Sequence, residues 1–303
     1  MIIYADENDE SQRLDSFLSE ILSQYSRSKI QKFIKDGYIF VNDSVKKPSC
    51  QLKENDKISI AIPEAKEIKI EPQNIPLEIV YEDENMLVVN KPSGMLTHPT
   101  SQELENTLVN ALLYKLGDNL SNLNGEFRRG ILHRLDRNTS GLLMIAKNNE
   151  SHEFLANQIK NHTVIKKYHA VLKGNYPKDE DRIELPIGRN PNQPHKMAVR
   201  DDGKPSTTLL KVLKRYNEAT YVELTLITGR THQIRVHTSY MKHPVYNDTL
   251  YGAGKGKVNT QEQVLQSYYL RFTKPFSDEI IELQIEPDEK INKVLNYYES
   301  RQK

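Results

Sequence analysis

The run Gly130-Ile131-Leu132-His133-Arg134-Leu135-Asp136-Arg137-Asn138-Thr139-Ser140-Gly141-Leu142-Leu143-Met144-Ile145-Ala146-Lys147 constrains this chain more than any other stretch. A short apolar pair, Ile131-Leu132, leads into charged residues, and Leu142 to Ala146 returns to the core. The polar tip between them therefore lies where a buried element meets a loop. That tip sets one carboxylate, Asp136, between Arg134 and Arg137, with a Thr-Ser-Gly turn behind it. Flanking guanidiniums favour the ionised carboxylate and are rigid forks suited to phosphate, so the pattern suggests chemistry on a nucleic acid. Taken alone it also fits an Arg-Asp-Arg cluster that merely caps a turn.

At 303 residues the chain is long enough for two domains. Its 42 lysines and arginines nearly cancel 41 aspartates and glutamates, so any nucleic-acid surface has to be local. Two basic sets qualify: Arg27, Lys29, Lys32 and Lys35, and a longer series running from Arg128 and Arg129 through Lys160, Lys166 and Lys167 to Lys173. Cys50 stands alone, which excludes an intramolecular disulfide and a cysteine-based zinc cluster. No run approaches the roughly 20 apolar residues of a membrane span, and the first residues lack a signal-peptide pattern. The expectation is a cytoplasmic protein with no membrane partner.

Arg13-Leu14-Asp15 opens a helix with Leu14, Phe17, Leu18, Ile21 and Leu22 at helical spacing. A second helix follows Ser26, with Ile30, Phe33 and Ile34 inward and the basic residues largely outward. Strands are expected over 38–43 and 57–62. The stretch from Arg13 to Ile60 resembles the small RNA-binding domain shared by a small-subunit ribosomal protein, tyrosyl-tRNA synthetases and several RNA-modifying enzymes. The resemblance implies that the second helix and the following loop lie on RNA, through Arg27, Ser28, Lys29, Lys32 and residues 42–47. This small α/β domain spans 1–62. Residues 63–76, where charges alternate with small or apolar residues between prolines, read as an extended linker, and 77–303 as the second domain.

In that second domain two β-type runs end at Asn90-Lys91-Pro92-Ser93-Gly94, where Lys91 is a candidate for phosphate. Thr107 to Leu116 and Ser151 to Gln158 read as helices. Lys166 to Gly174 reads as a strand whose Tyr168, Ala170 and Leu172 share a face. An aromatic ring beside lysines suits stacking on an extruded base, and equally suits the core. Residues 187–206 read as a long polar loop of the functional or mobile kind. Gly229 to His237 opens a helix near whose start Arg230 and Arg235 converge, where backbone donors also favour anions. His232 and His237 lack the carboxylates or cysteines of a metal site, so no metal is expected. Strands dominate, neighbours read as hairpins, and helices are interspersed without strict βαβ alternation, which favours an α+β fold.

Four segments, LVVNKPSGMLTHP, HRLDRNTSGLL, KKYHAVLKG and TGRTHQIRVH, occur in this order. Together they resemble the RluA family of pseudouridine synthases, and with the leading domain they resemble its branch acting on large-subunit ribosomal RNA. The resemblance implies a mixed, mainly antiparallel sheet with a central cleft, and an isomerase working without metal or organic cofactor. It carries the family's catalytic aspartate to Asp136, its base-stacking tyrosine to Tyr168 and its buried arginine partner to Arg235. Arg134 takes the place of the arginine that enters the duplex as the uridine leaves it. Arg137, Arg230 and Lys91 join the expected RNA contacts. Gln266-Ser267 and Lys274 depart from the family's usual residues and are expected on the cleft wall or RNA edge.

The implied chemistry breaks the glycosidic bond of uridine, turns the freed ring and rejoins it through carbon 5. A carboxylate serves either by attacking the anomeric carbon or by removing the 2′ hydrogen to give a glycal, and both routes need it ionised. The expected partner is ribosomal RNA, free or in an assembling large subunit, and the expected state is a monomer. Other readings stay open: a ribosome-assembly factor that binds RNA and retains the fold, a pseudouridine synthase acting on tRNA, or a ribonuclease or N-glycosidase, which would release a fragment or free uracil.

Overall fold

The computed structural model describes residues 1–63, 69–252 and 254–301. They divide into two compact units, residues 1–68 and 69–303. The first contains β1 (Ile2–Tyr4), α1 (Leu14–Ile21), α2 (Arg27–Lys35), β2 (Ile39–Val41) and β3 (Lys57–Ile60). The strands pair antiparallel around a central β3. The helical spacing seen in the sequence does its work here: Leu14, Phe17 and Leu18 of α1 and Ile30, Phe33 and Ile34 of α2 close over Ile39, Val41 and Ile58 in one core. Beside that core Asp15 is fully buried but triply partnered, accepting from Arg13 at 3.0 Å, Arg27 at 3.0 Å and Gln31 at 2.7 Å. Hydrogen bonding to Arg13 above all holds the Asp15 carboxyl well below the usual carboxylate range; Arg27 and Gln31 add to this against the cost of burial.

The second unit runs β4 (Glu78–Glu82), β5 (Met86–Lys91), α3 (Leu108–Leu116), β6 (Ser140–Ala146), α4 (Asn149–Lys160), β7 (Ile165–Lys173), β8 (Glu180–Glu184), β9 (Ile187–Arg189), β10 (Met197–Val199), β11 (Thr207–Arg215), β12 (Ala219–Leu226), α5 (Gln233–Tyr240), β13 (Leu265–Thr273), β14 (Ile280–Gln284) and α6 (Glu289–Glu299). Among the described residues one large sheet has the order β4-β5-β6-β13-β7-β12-β11-β8, with β14 beside β13. Its pairings are antiparallel except that of β6 with β13, so the fold is α+β with a mixed, mainly antiparallel sheet.

The apolar run of β6 is continuous because both faces of that strand are covered. Leu143 and Ile145 join Leu87, Val89 and the α3 residues Leu108 and Leu112 on one side. Leu142 and Met144 join Met86, Val88 and Leu155 of α4 on the other. At the parallel junction Gly141 lies opposite Ser267, with φ +114°. A Cβ at Gly141 would run into the Ser267 backbone carbonyl, so only glycine lets the strands meet here. This seam fixes where the Asp136 loop enters the sheet.

Two segments differ from the sequence reading. Residues 187–206 are not an open loop: β9 and β10 pair as a short hairpin, and Ile187, 2% exposed, exchanges two backbone hydrogen bonds with Lys204 at 2.9 Å. Anchoring that one apolar residue organises the polar stretch around it. Of the expected linker 63–76, residues 64–68 lie outside the described residues, while Ile70 is buried in the core of the second unit. The carbonyl of Glu71 accepts from Asn110 Nδ2 at 2.8 Å and Gln73 Oε1 accepts from the Asn106 amide at 2.6 Å, fastening this segment at the start of α3.

Candidate active site

Asp136 stands on the loop that feeds β6, and several braces fix that loop. Thr97 holds the backbone of Leu135, donating its hydroxyl to the Leu135 carbonyl at 2.8 Å and accepting from the Leu135 amide at 3.3 Å. The Thr139 amide donates to the Asp136 carbonyl at 3.1 Å and closes a turn. Lys91 Nζ donates to the carbonyls of Pro92, Met95 and Arg137 at 2.8, 2.8 and 3.1 Å. From α6 and its N-cap, Lys290 Nζ donates to the Asn138 carbonyl at 2.9 Å, and Asp288 Oδ2 accepts from Ser140 Oγ at 2.5 Å.

The charge partner of Asp136 comes from α5. Arg235 Nη1 donates to Asp136 Oδ2 at 2.9 Å, while its Nε and Nη2 fork onto Asp248 at 2.7 and 3.0 Å. The guanidinium also lies 5.0 Å from the centroid of the Tyr251 ring. Burial works against its charge, but Asp248 and then Asp136 outweigh that cost and raise the Arg235 pKa. His232 caps α5 in the left-handed conformation, φ 57°, and brings Nε2 to 3.8 Å from Asp136 Oδ1. The Tyr251 hydroxyl accepts from the Met197 amide at 2.9 Å and lies 2.7 Å from His232 Nδ1. Burial lowers the His232 pKa, with Asp136 opposing.

Asp136, Arg235 and His232 open on a cavity of about 580 Å³ whose wall also includes Tyr168, Arg134, Arg230 and His98. That volume lies in the range of ordinary ligand sites. Tyr168 is 5% exposed, and burial pushes its hydroxyl up to about 12. Thr139 Oγ1 and Asn138 Oδ1, next to the carboxylate in sequence, are buried without a hydrogen-bond partner.

Of the residues expected from the sequence, Asp136, Tyr168, Arg235, Arg134 and Arg230 line this one cavity. Arg230 Nε is tied to the Pro205 carbonyl at 3.2 Å, whereas Arg134 is exposed and has no ion pair among the described residues. Two others are placed differently. Arg137 turns to Glu103, 2.5 Å away, so the guanidinium that holds Asp136 is the distant Arg235 and not its sequence neighbour. Lys91 is fully buried with its donors directed at three carbonyls, which makes it a brace for two turns and leaves nothing for phosphate. Gln266 is likewise no cleft residue: its amide bonds the Glu286 carbonyl and the Asp288 amide. Lys274 pairs with Glu279 at 3.6 Å.

On the first unit Ser28, Lys29 and Lys32 are exposed along α2, while Arg27 divides itself between solvent and Asp15. Sequence reasoning missed His232, Asp248 and Tyr251. The signal for His232 was its spacing of three from Arg235 at a helix start, which puts both on one side. His237, by contrast, is buried between Thr208 and the Leu185 carbonyl. Among the described residues no group of three or more His, Cys, Asp or Glu side chains is placed to hold a metal ion. No described helix is long and apolar enough to cross a membrane.

Comparison with known proteins accords with this geometry. Residues 85–240 match the family model described as RNA pseudouridylate synthase, and residues 12–58 match the S4 domain. The chain is 42% identical over 282 residues to an uncharacterised RNA pseudouridine synthase of Bacillus subtilis (strain 168), covering 93% of this chain and 92% of that one. It is 37% identical over 285 residues to ribosomal large subunit pseudouridine synthase D of Zymomonas mobilis, covering 90% of each. Among solved structures, human RNA pseudouridylate synthase domain containing 1 superposes with a TM-score of 0.57 at 30% identity, over 70% of this chain and 83% of that one.

Proposed function

The chain belongs to the RNA pseudouridylate synthase family, and on that premise we propose that it isomerises uridine in large-subunit ribosomal RNA, with Asp136 as the catalytic carboxylate. The carrying observation is the Asp136–Arg235 pair at 2.9 Å within a cavity that Tyr168 also lines. The Zymomonas relative, a ribosomal large subunit pseudouridine synthase, supports the choice of RNA.

Arg235 occupies Oδ2, which leaves Oδ1 to act, either on the anomeric carbon or on the 2′ hydrogen. His232 Nε2 stands 3.8 Å from that second oxygen. A stacked uridine is out of reach of any such group, so the base leaves the helix, its ring resting on Tyr168 and its vacated place taken by Arg134. Lys29 and Lys32 on the S4 domain give RNA an independent hold.

The test uses large-subunit ribosomal RNA from a strain lacking the protein, labelled with tritium at uridine carbon 5. Expected is tritium release without chain cleavage, at a uridine that mapping shows unmodified in that strain. Release of free uracil, strand scission, or activity confined to tRNA overturns the proposal.

A further inference from the structure

The cavity wall continues beyond Asp136 through His133, Lys160, His162 and Lys166. Lys166 stands on β7 two residues before Tyr168 and is therefore on the same face. Only 7% of it is exposed. Its neighbour Lys167, on the opposite face, pairs with Glu223 at 3.2 Å, but Lys166 Nζ has no hydrogen bond or ion pair among the described residues. Its ammonium lies near the backbone of Gly229, where a Cβ would come 3.8 Å from Nζ. Burial alone pushes its pKa down. The side chain is largely buried while Nζ is not among the sealed, unpartnered polar atoms, so the ammonium opens on the cavity, where holding it without a counter-ion costs more than a neutral side chain would.

His133 adds a second donor. Its Nε2 accepts from the Met144 amide at 3.1 Å, so the ring proton sits on Nδ1, which has no acceptor among the described residues. Among the described residues lining the cavity, Asp136 is the only carboxylate, and Arg235 already holds it. The remaining charged groups of the wall are cations.

We propose that Lys166 Nζ and His133 Nδ1–H form an anion subsite that takes a non-bridging phosphate oxygen of the RNA strand beside the uridine at Asp136. A compact ammonium is suited to a phosphate oxygen as a point charge. The inference rests on the proposed activity only in naming RNA as the ligand.

The test pairs wild-type protein, Lys166→Met and Lys166→Arg with a ribosomal RNA stem-loop carrying the mapped uridine, its flanking phosphates replaced one at a time by uncharged methylphosphonate. In wild type one replacement is expected to weaken binding by about tenfold or more, the effect of losing one charge-assisted hydrogen bond. Lys166→Met should bind the all-phosphate RNA that much more weakly and ignore that one replacement, and Lys166→Arg should restore the sensitivity. Full sensitivity in Lys166→Met overturns the subsite, as does contact with the base, seen as a loss in Lys166→Met that no phosphate position accounts for. Binding is read separately from tritium release, so an RNA that binds without isomerising overturns the activity and still decides the subsite.

Discussion

Asp248 takes two of Arg235's hydrogen bonds, at 2.7 and 3.0 Å, and so aims the remaining arm, Nη1, at Asp136. Both members of this pair are buried. The fork therefore sets the position of the carboxylate from a residue that does not touch the cavity. Asp248→Ala removes both forked bonds and leaves the buried guanidinium to Asp136 alone, and is expected to cost about 1.5–3 kcal/mol of stability. Urea denaturation checks the cost, and Asp248→Asn, which keeps the shape, should lower turnover while retaining RNA binding.

Asp136→Asn preserves size and removes the charge. Turnover is expected to fall by about a thousandfold or more while RNA binding persists, since the cationic wall and α2 are intact. Tritium release and filter binding on the same sample separate the two, and an active Asn variant would remove the assigned role.

Gly141→Ala drives a methyl into the Ser267 carbonyl at a backbone angle that alanine avoids. The expected loss is about 3 kcal/mol or more, by thermal or urea unfolding, because neither strand of the parallel junction has room to retreat.

Asp15 gives the first unit an acid limit. Its folded pKa is depressed by Arg13, Arg27 and Gln31, so its contribution is complete above the unfolded value of about 4 and is lost as pH falls from there toward the folded value. Amide protection factors in α1 and α2 should drop across that window in wild type. In Asp15→Asn they should be lower at neutral pH and lack this drop.

Lys29→Gln with Lys32→Gln should reduce the slope of log binding constant against log salt by about 1.4–1.8, if each meets one phosphate. Arg27→Gln should act differently, weakening the first unit through Asp15. An unchanged slope in the double variant excludes α2 as an RNA surface.

The periodic and continuous apolar patterns made α1, α2, α3 and β6 legible in the sequence, because burial there depends on neighbours along the chain. The cavity set Asp136, Tyr168, Arg134, Arg230 and Arg235 was legible through recurring motifs. The pairing of Asp136 with Arg235 was legible only through the family resemblance: by charge and spacing alone the adjacent Arg137 was as good a partner, and it is the α5 start and Asp248 that bring Arg235 to Asp136. The place of Lys91 was not legible, since its burial follows from the carbonyls of two turns that converge only in the fold. His232 was set aside in the sequence as lacking metal partners and given no other role, because the residue it meets, Tyr251, lies on a loop without a motif.

Lys290 reaches back across 152 residues to grip the carbonyl of Asn138. A nascent chain still threaded through a translating ribosome lacks that grip until α6 emerges. Premature stop codons upstream of α6 would therefore yield a product that carries the whole motif set and lacks the Lys290 brace on the Asp136 loop.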